Sequence, residues 1–146
     1  SLKEFLQYCK IVSMSQAGDT FFTRVGCMDG RVQVPLRIYG QEKTGAKYPD
    51  TITEAGKVGL LAHDPSEALL KSLRHKLDIS IDKHHSQGII VHGHEECAGN
   101  PVDEATHKED VRKSVEVIKE MIDNRVPVYG VFVRRAEPEW AVEELK

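Results

Sequence analysis

Two periods organise the apolar residues of this chain. Thr20 to Val25 is a short aromatic and β-branched run that stops at Gly26, which predicts a strand. Tyr48-Pro49-Asp50 punctuates the chain before Thr51-Ile52-Thr53, a second short strand closed by Ala55-Gly56. Gly88-Ile89-Ile90-Val91 is continuously apolar, as a strand covered on both faces should be. Pro127 to Val133 reads as the last strand, with a short tail bearing Trp140 behind it. Between these runs the period lengthens. Leu69, Leu70, Leu73 and Leu77 share one helical face behind Asp64-Pro65-Ser66-Glu67, which reads as a helix start with Asp64 as cap and Pro65 at the first position. After Gly99-Asn100-Pro101, the residues Val111, Val115, Ile118 and Ile122 step by helical turns, and Asn124 closes that helix. Strands alternating with helices predict an α/β domain with a mostly parallel central sheet flanked by helices.

Length and composition narrow the function classes. With 146 residues, the expectation is one domain, 1–146, without repeats or linkers. Lys and Arg number 20 against 23 Asp and Glu, a net charge of −3. That balance gives no general electrostatic grip on nucleic acid or on an acidic membrane. No apolar run approaches the roughly 20 residues that cross a bilayer, and the N-terminal residues lack a secretory pattern, so the chain reads as cytoplasmic. Three cysteines, Cys9, Cys27 and Cys97, are too few and too odd for a disulfide framework. Cys9 reads as packing. The uses left for the others are packing, nucleophilic chemistry and metal binding.

In parallel sheets, ligand chemistry collects at the carboxyl ends of strands. Two segments lie there: Cys27-Met28-Asp29-Gly30-Arg31 and His92-Gly93-His94-Glu95-Glu96-Cys97. His94-x-x-Cys97 sets an imidazole and a thiol within reach of one metal ion, and Cys27, ending a neighbouring strand, is the natural third ligand of a zinc site that keeps one position open. A phosphatase loop is excluded, because position 33 is Gln33 where that chemistry needs arginine. A Cys-His nucleophile pair, Cys27 with His92 or His94, stays open but leaves Cys97 without a role. His92 competes with His94 for the metal. His84-His85 reads as a solvated helix end, and His63, His75 and His107 as surface histidines. Glu95 and Glu96 read as exposed loop acids.

Cys-x-Asp-x-Arg at 27–31, then an apolar strand and Gly-His-x-x-Cys at 93–97, with Ala55-Gly56 between them, resembles the β-class carbonic anhydrases. The resemblance covers roughly residues 20 to 135. It implies a parallel-centred α/β fold, homodimers or assemblies of dimers, and one zinc per chain held by Cys27, His94 and Cys97. The implied reaction is reversible hydration of carbon dioxide to bicarbonate by a zinc-bound hydroxide, with a small-molecule substrate and no nucleic-acid or membrane partner. In that reading Asp29 accepts the hydroxide proton and Arg31 holds Asp29 charged. Two thiolates cancel the metal charge, so activity is expected to favour alkaline pH. The chain departs from the family at Thr53-Glu54-Ala55-Gly56-Lys57, where members generally read arginine-asparagine-alanine-glycine-asparagine, and Gln16 is the nearest counterpart of a pocket glutamine. It therefore reads as a compact, divergent member. The alternatives are hydrolysis of carbon disulfide or carbonyl sulfide, and a catalytically silent zinc scaffold.

Overall fold

A five-stranded sheet forms the centre of the structure, a computed structural model that describes residues 1–4 and 18–146. Cys9 and Gln16 lie outside the described residues. The strands are β1 (Phe21–Cys27), β2 (Tyr48–Glu54), β3 (Ile89–His94), β4 (Val128–Ala136) and β5 (Glu139–Glu144), in the spatial order β2-β1-β3-β4-β5. The first four run parallel, and β5 folds back antiparallel on β4. Helices α1 (Gln33–Thr44), α2 (Lys57–Ala62), α3 (Glu67–Asp78) and α4 (Glu104–Met121) flank the sheet.

Every residue of β3 is buried, which is why its sequence runs apolar without alternation. One sheet face packs Val25 and Val91 against Leu73, Leu77, Val111 and Ile118 of the helices. On the other face, Phe22, Ile90, Val131 and Val133 pack against Val32 and Leu36 at α1. Ile90 is fully buried, so truncating it to alanine should cost about 2–5 kcal/mol.

Several expectations need correction. Helix α3 starts at Glu67, not after Asp64: Ser66 is extended, and its hydroxyl accepts the Leu69 N–H at 3.1 Å. A cap needs that extended backbone, whereas Asp64 is left-handed at φ 47°. The Trp140 tail is not a loose end but strand β5, paired from Val131 to Ala136 of β4. The region 33–44 carries no helical stripe, since Val34 and Ile38 stay exposed while Leu36 and Gly40 are buried, and yet it forms α1. His84 is half-buried, stacked on Phe21 and hydrogen-bonded to Asp50 at 2.8 Å, so it fastens β1 and β2 rather than capping a solvated end. His107 is buried edge-on to Phe132, because the helix face it occupies lies on the sheet. His63 and His75 are exposed. Among the described residues, no helix is long and apolar enough to cross a membrane.

Candidate metal centre

Parallel pairing of β1 and β3 sets Gly26 beside His92 and delivers the carboxyl ends of both strands to one place. Cys27 is the last residue of β1 and His94 the last of β3. The chain then turns through Glu96, at φ 58°, and brings Cys97 back onto them. The ligand atoms of Cys27, His94 and Cys97 all lie within 4.8 Å of one another, and all three side chains are buried. Gly56 locks the two sulfur-bearing segments together. Its N–H donates to Cys27 Sγ at 3.4 Å, its φ is 60°, and a Cβ there would stand 2.2 Å from the Gly99 carbonyl oxygen. Only glycine tolerates both demands.

The two sulfurs are 3.8 Å apart. Tetrahedral zinc with Zn–S bonds near 2.3 Å requires a separation of about 3.8 Å. His94 Nδ1–H donates to the Glu95 carbonyl at 2.7 Å, which fixes the ring and leaves Nε2 as the free donor atom. Among the described residues, that Nε2 is buried without a hydrogen-bond partner. A buried orphan nitrogen beside two sulfurs is what a soft, tetrahedral cation would satisfy, so the residues present fit zinc. Without metal, the Cys97 thiol donates to Cys27 and holds Cys27 well below the usual thiol range, while Cys97 itself is pushed up. Burial opposes the charged form of His94, but the neighbouring Cys27 thiolate and the Glu95 carbonyl outweigh it and raise the imidazole.

Asp29 and Arg31 flank this group as a closed pair. Arg31 Nη2 meets Asp29 Oδ2 at 2.8 Å, Nε meets Oδ1 at 3.1 Å, and the Arg31 backbone N–H donates to Oδ1 at 2.9 Å. These bonds pull the Asp29 carboxyl down to about 2. The Arg31 guanidinium lies over the Trp140 ring at 4.8 Å and donates to the Glu96 carbonyl at 3.2 Å. Glu96 is exposed but paired with Arg135 at 2.7 Å, and Arg135 also lies on Trp140, at 4.7 Å. His92 stands apart from the cluster: its Nε2–H donates to the Cys27 carbonyl at 3.2 Å, and its ring fills the space a side chain at Gly26 would need. Burial drives His92 down to about 3, so it is neutral.

Sequence reasoning thus named the five residues that the fold brings together, Cys27, Asp29, Arg31, His94 and Cys97. It missed Gln33 under the Cys27–Asp29 turn and Trp140 on Arg31. A lone tryptophan beyond the last expected strand was the one available signal for the latter. His107 was also missed; with His94, Cys97, Phe132 and Arg134 it lines a cavity of about 400 Å³ beside the group.

A protein-family model described as "Putative carbonic anhydrase" matches residues 17–146. No curated protein matches the chain. Among solved structures, the chain is similar to a β-carbonic anhydrase of the fungal pathogen Aspergillus fumigatus, at 13% identity over 99% of this chain and 83% of that one, with a TM-score of 0.59. It is similar to a carbonic anhydrase from Streptococcus mutans at 16% identity, covering 99% of this chain and 95% of that one, with a TM-score of 0.56. A third likeness is to tetrameric β-carbonic anhydrases of Sordaria macrospora, at 14% identity over 98% and 88% of the two chains, with a TM-score of 0.55.

Proposed function

Since the chain belongs to the carbonic anhydrase family, whose model spans residues 17–146, we propose that it catalyses the reversible hydration of carbon dioxide to bicarbonate with one zinc per chain. Cys27, His94 and Cys97 would hold the ion, within a single domain. The observation that carries the reading is the orphaned Nε2 of His94, buried between two thiols and facing a carboxylate pinned by arginine. Bound there, zinc supplies a Lewis acid that makes water nucleophilic near neutral pH.

The chain's own residues do the rest. Asp29 Oδ2 lies 3.9 Å from His94 Nε2, which sets a carboxylate oxygen at the edge of the ligand group. Held ionised, it accepts a hydrogen bond from the reacting water's O–H and so fixes the direction of the attacking lone pair. Arg31 keeps that carboxylate charged and unable to swing, and the indole of Trp140 keeps Arg31 in place. A structural zinc site has no need of such a pair, which favours an enzyme over a silent scaffold.

Met28, Val34 and Ile38 expose apolar side chains around Asp29 and Arg31. With tetrameric relatives of the same fold, this supports a homodimer or an assembly of dimers. The reduced thiols that the centre requires suit the cytoplasm. The test is stopped-flow carbon dioxide hydration on zinc-quantified protein; full zinc occupancy without hydration at alkaline pH would overturn the proposal.

A further inference from the structure

We propose that Gln33 is a positioning residue for the metal centre: its carboxamide clamps the backbone carbonyls of Cys27 and Asp29, and so sets where the thiolate and the carboxylate point. The inference rests on the reading of the centre given above.

Gln33 opens α1 directly behind the Cys27–Arg31 segment. Its Nε2 donates to the Asp29 carbonyl at 2.7 Å and to the Cys27 carbonyl at 3.2 Å, so both protons of one amide go to the turn. His92 adds a second donor to the Cys27 carbonyl. On its other side, Gln33 Oε1 accepts from Arg24 Nη2, while Arg24 Nη1 donates to the Gln33 carbonyl at 2.8 Å. The cation thereby fixes which end of the amide faces the turn.

What makes Gln33 unusual is that Arg24 would prefer something else. Arg24 is 3% exposed, and among the described residues its hydrogen bonds go to Gln33 and Thr51 while its Nε has no partner. Burying a guanidinium without a carboxylate is costly. Glutamate at position 33 is nearly isosteric with glutamine and would pair with Arg24 far better. A carboxylate cannot donate, however, and would set its oxygens against the two carbonyls of the turn. The amide at 33 thus serves the Cys27–Asp29 turn at the expense of Arg24.

Gln33→Glu separates the two roles. Its metal-free melting temperature should equal or exceed that of the unaltered chain, because Arg24 gains an ion pair. Its zinc affinity, read by chelator competition, should fall about 10- to 100-fold, and the visible absorption bands of the cobalt-substituted protein should shift as the Cys27 thiolate is reoriented. Gln33→Met, similar in length and uncharged, should also lose zinc affinity, and it decides the matter if Gln33→Glu does not fold. Wild-type zinc affinity and an unchanged cobalt spectrum in the folded variant would overturn the inference. Zinc affinity is read without carbon dioxide, so a chain that binds zinc tightly but hydrates nothing would defeat the proposed activity and leave the role of Gln33 standing.

Discussion

Asp29 Oδ2 lies 3.9 Å from His94 Nε2 and only 2.8 Å from Arg31 Nη2. One carboxylate oxygen therefore belongs at once to the arginine that restrains it and to the edge of the ligand group it serves. Asp29→Ala and Arg31→Ala should each lower carbon dioxide hydration by about 10²- to 10⁴-fold, roughly 3–5 kcal/mol in barrier, with zinc content unchanged. Stopped-flow rates alongside metal analysis check this. An Asp29→Ala variant as active as the unaltered chain would remove the aspartate from the mechanism.

The ligand assignment predicts about one zinc per chain. His94→Ala should strip most of the metal, since it deletes the one free imidazole nitrogen of the cluster. His92→Ala should retain most of it, because His92 touches Cys27 through a backbone carbonyl and not through sulfur. Elemental analysis of dialysed protein with the opposite pattern would reassign the ligands.

Trp140 should matter for rate more than for metal. The indole carries the Arg31 and Arg135 guanidiniums at 4.8 and 4.7 Å, contacts worth about 0.5–1 kcal/mol each when partly exposed. Trp140→Leu should slow hydration by about 2- to 5-fold, the kinetic equivalent of one such contact, and leave zinc in place. A loss as deep as that of Arg31→Ala would mean that the indole does more than hold the arginine.

Acid should weaken the fold through His92. Its folded-state value lies near 3, far below the ordinary 6.5, because burial disfavours the imidazolium. Between those values the unfolded chain binds the proton and the folded one does not, so stability falls as pH drops from 6.5 towards 3. The slope from this residue is at most about 1.4 kcal/mol per pH unit. Urea unfolding of His92→Gln against the unaltered chain should show that part of the acid sensitivity removed; parallel pH profiles would refute it.

Light scattering should report at least twice the 16.4 kDa chain mass at working concentration. A clean monomer would mean that the apolar rim of Met28, Val34 and Ile38 stays in water.

How far the residues could be read in advance followed from where their instructions lie. Ile89, Ile90 and Val91 announced β3, and Val111 to Ile118 announced α4, because each pattern matches one period of one element. The clustering of Cys27, His94 and Cys97 was legible because parallel strands bring their carboxyl ends together. Helix α1 was not legible, since its exposed Val34 and Ile38 blur the stripe. Strand β5 was hidden as well, because only Trp140 and Val142 of it pack on the core, and both stay partly exposed at the sheet edge. Gln33 left no trace at all: it answers two backbone carbonyls, and carbonyls look the same at every position.

The pairing of β1 with β3 also governs when the centre comes into being. Cys27 and Cys97 are seventy residues apart in sequence, and their sulfurs meet only when a parallel ladder has closed over everything between. Such non-local closure is entropically slow and comes after local helices have formed. A fragment ending before β3 holds only one of the three ligands, Cys27, and neither His94 nor Cys97. With zinc bound as proposed, its capture would therefore be a clock for completed folding, and an ion favouring the finished sheet would draw the last steps forward by mass action.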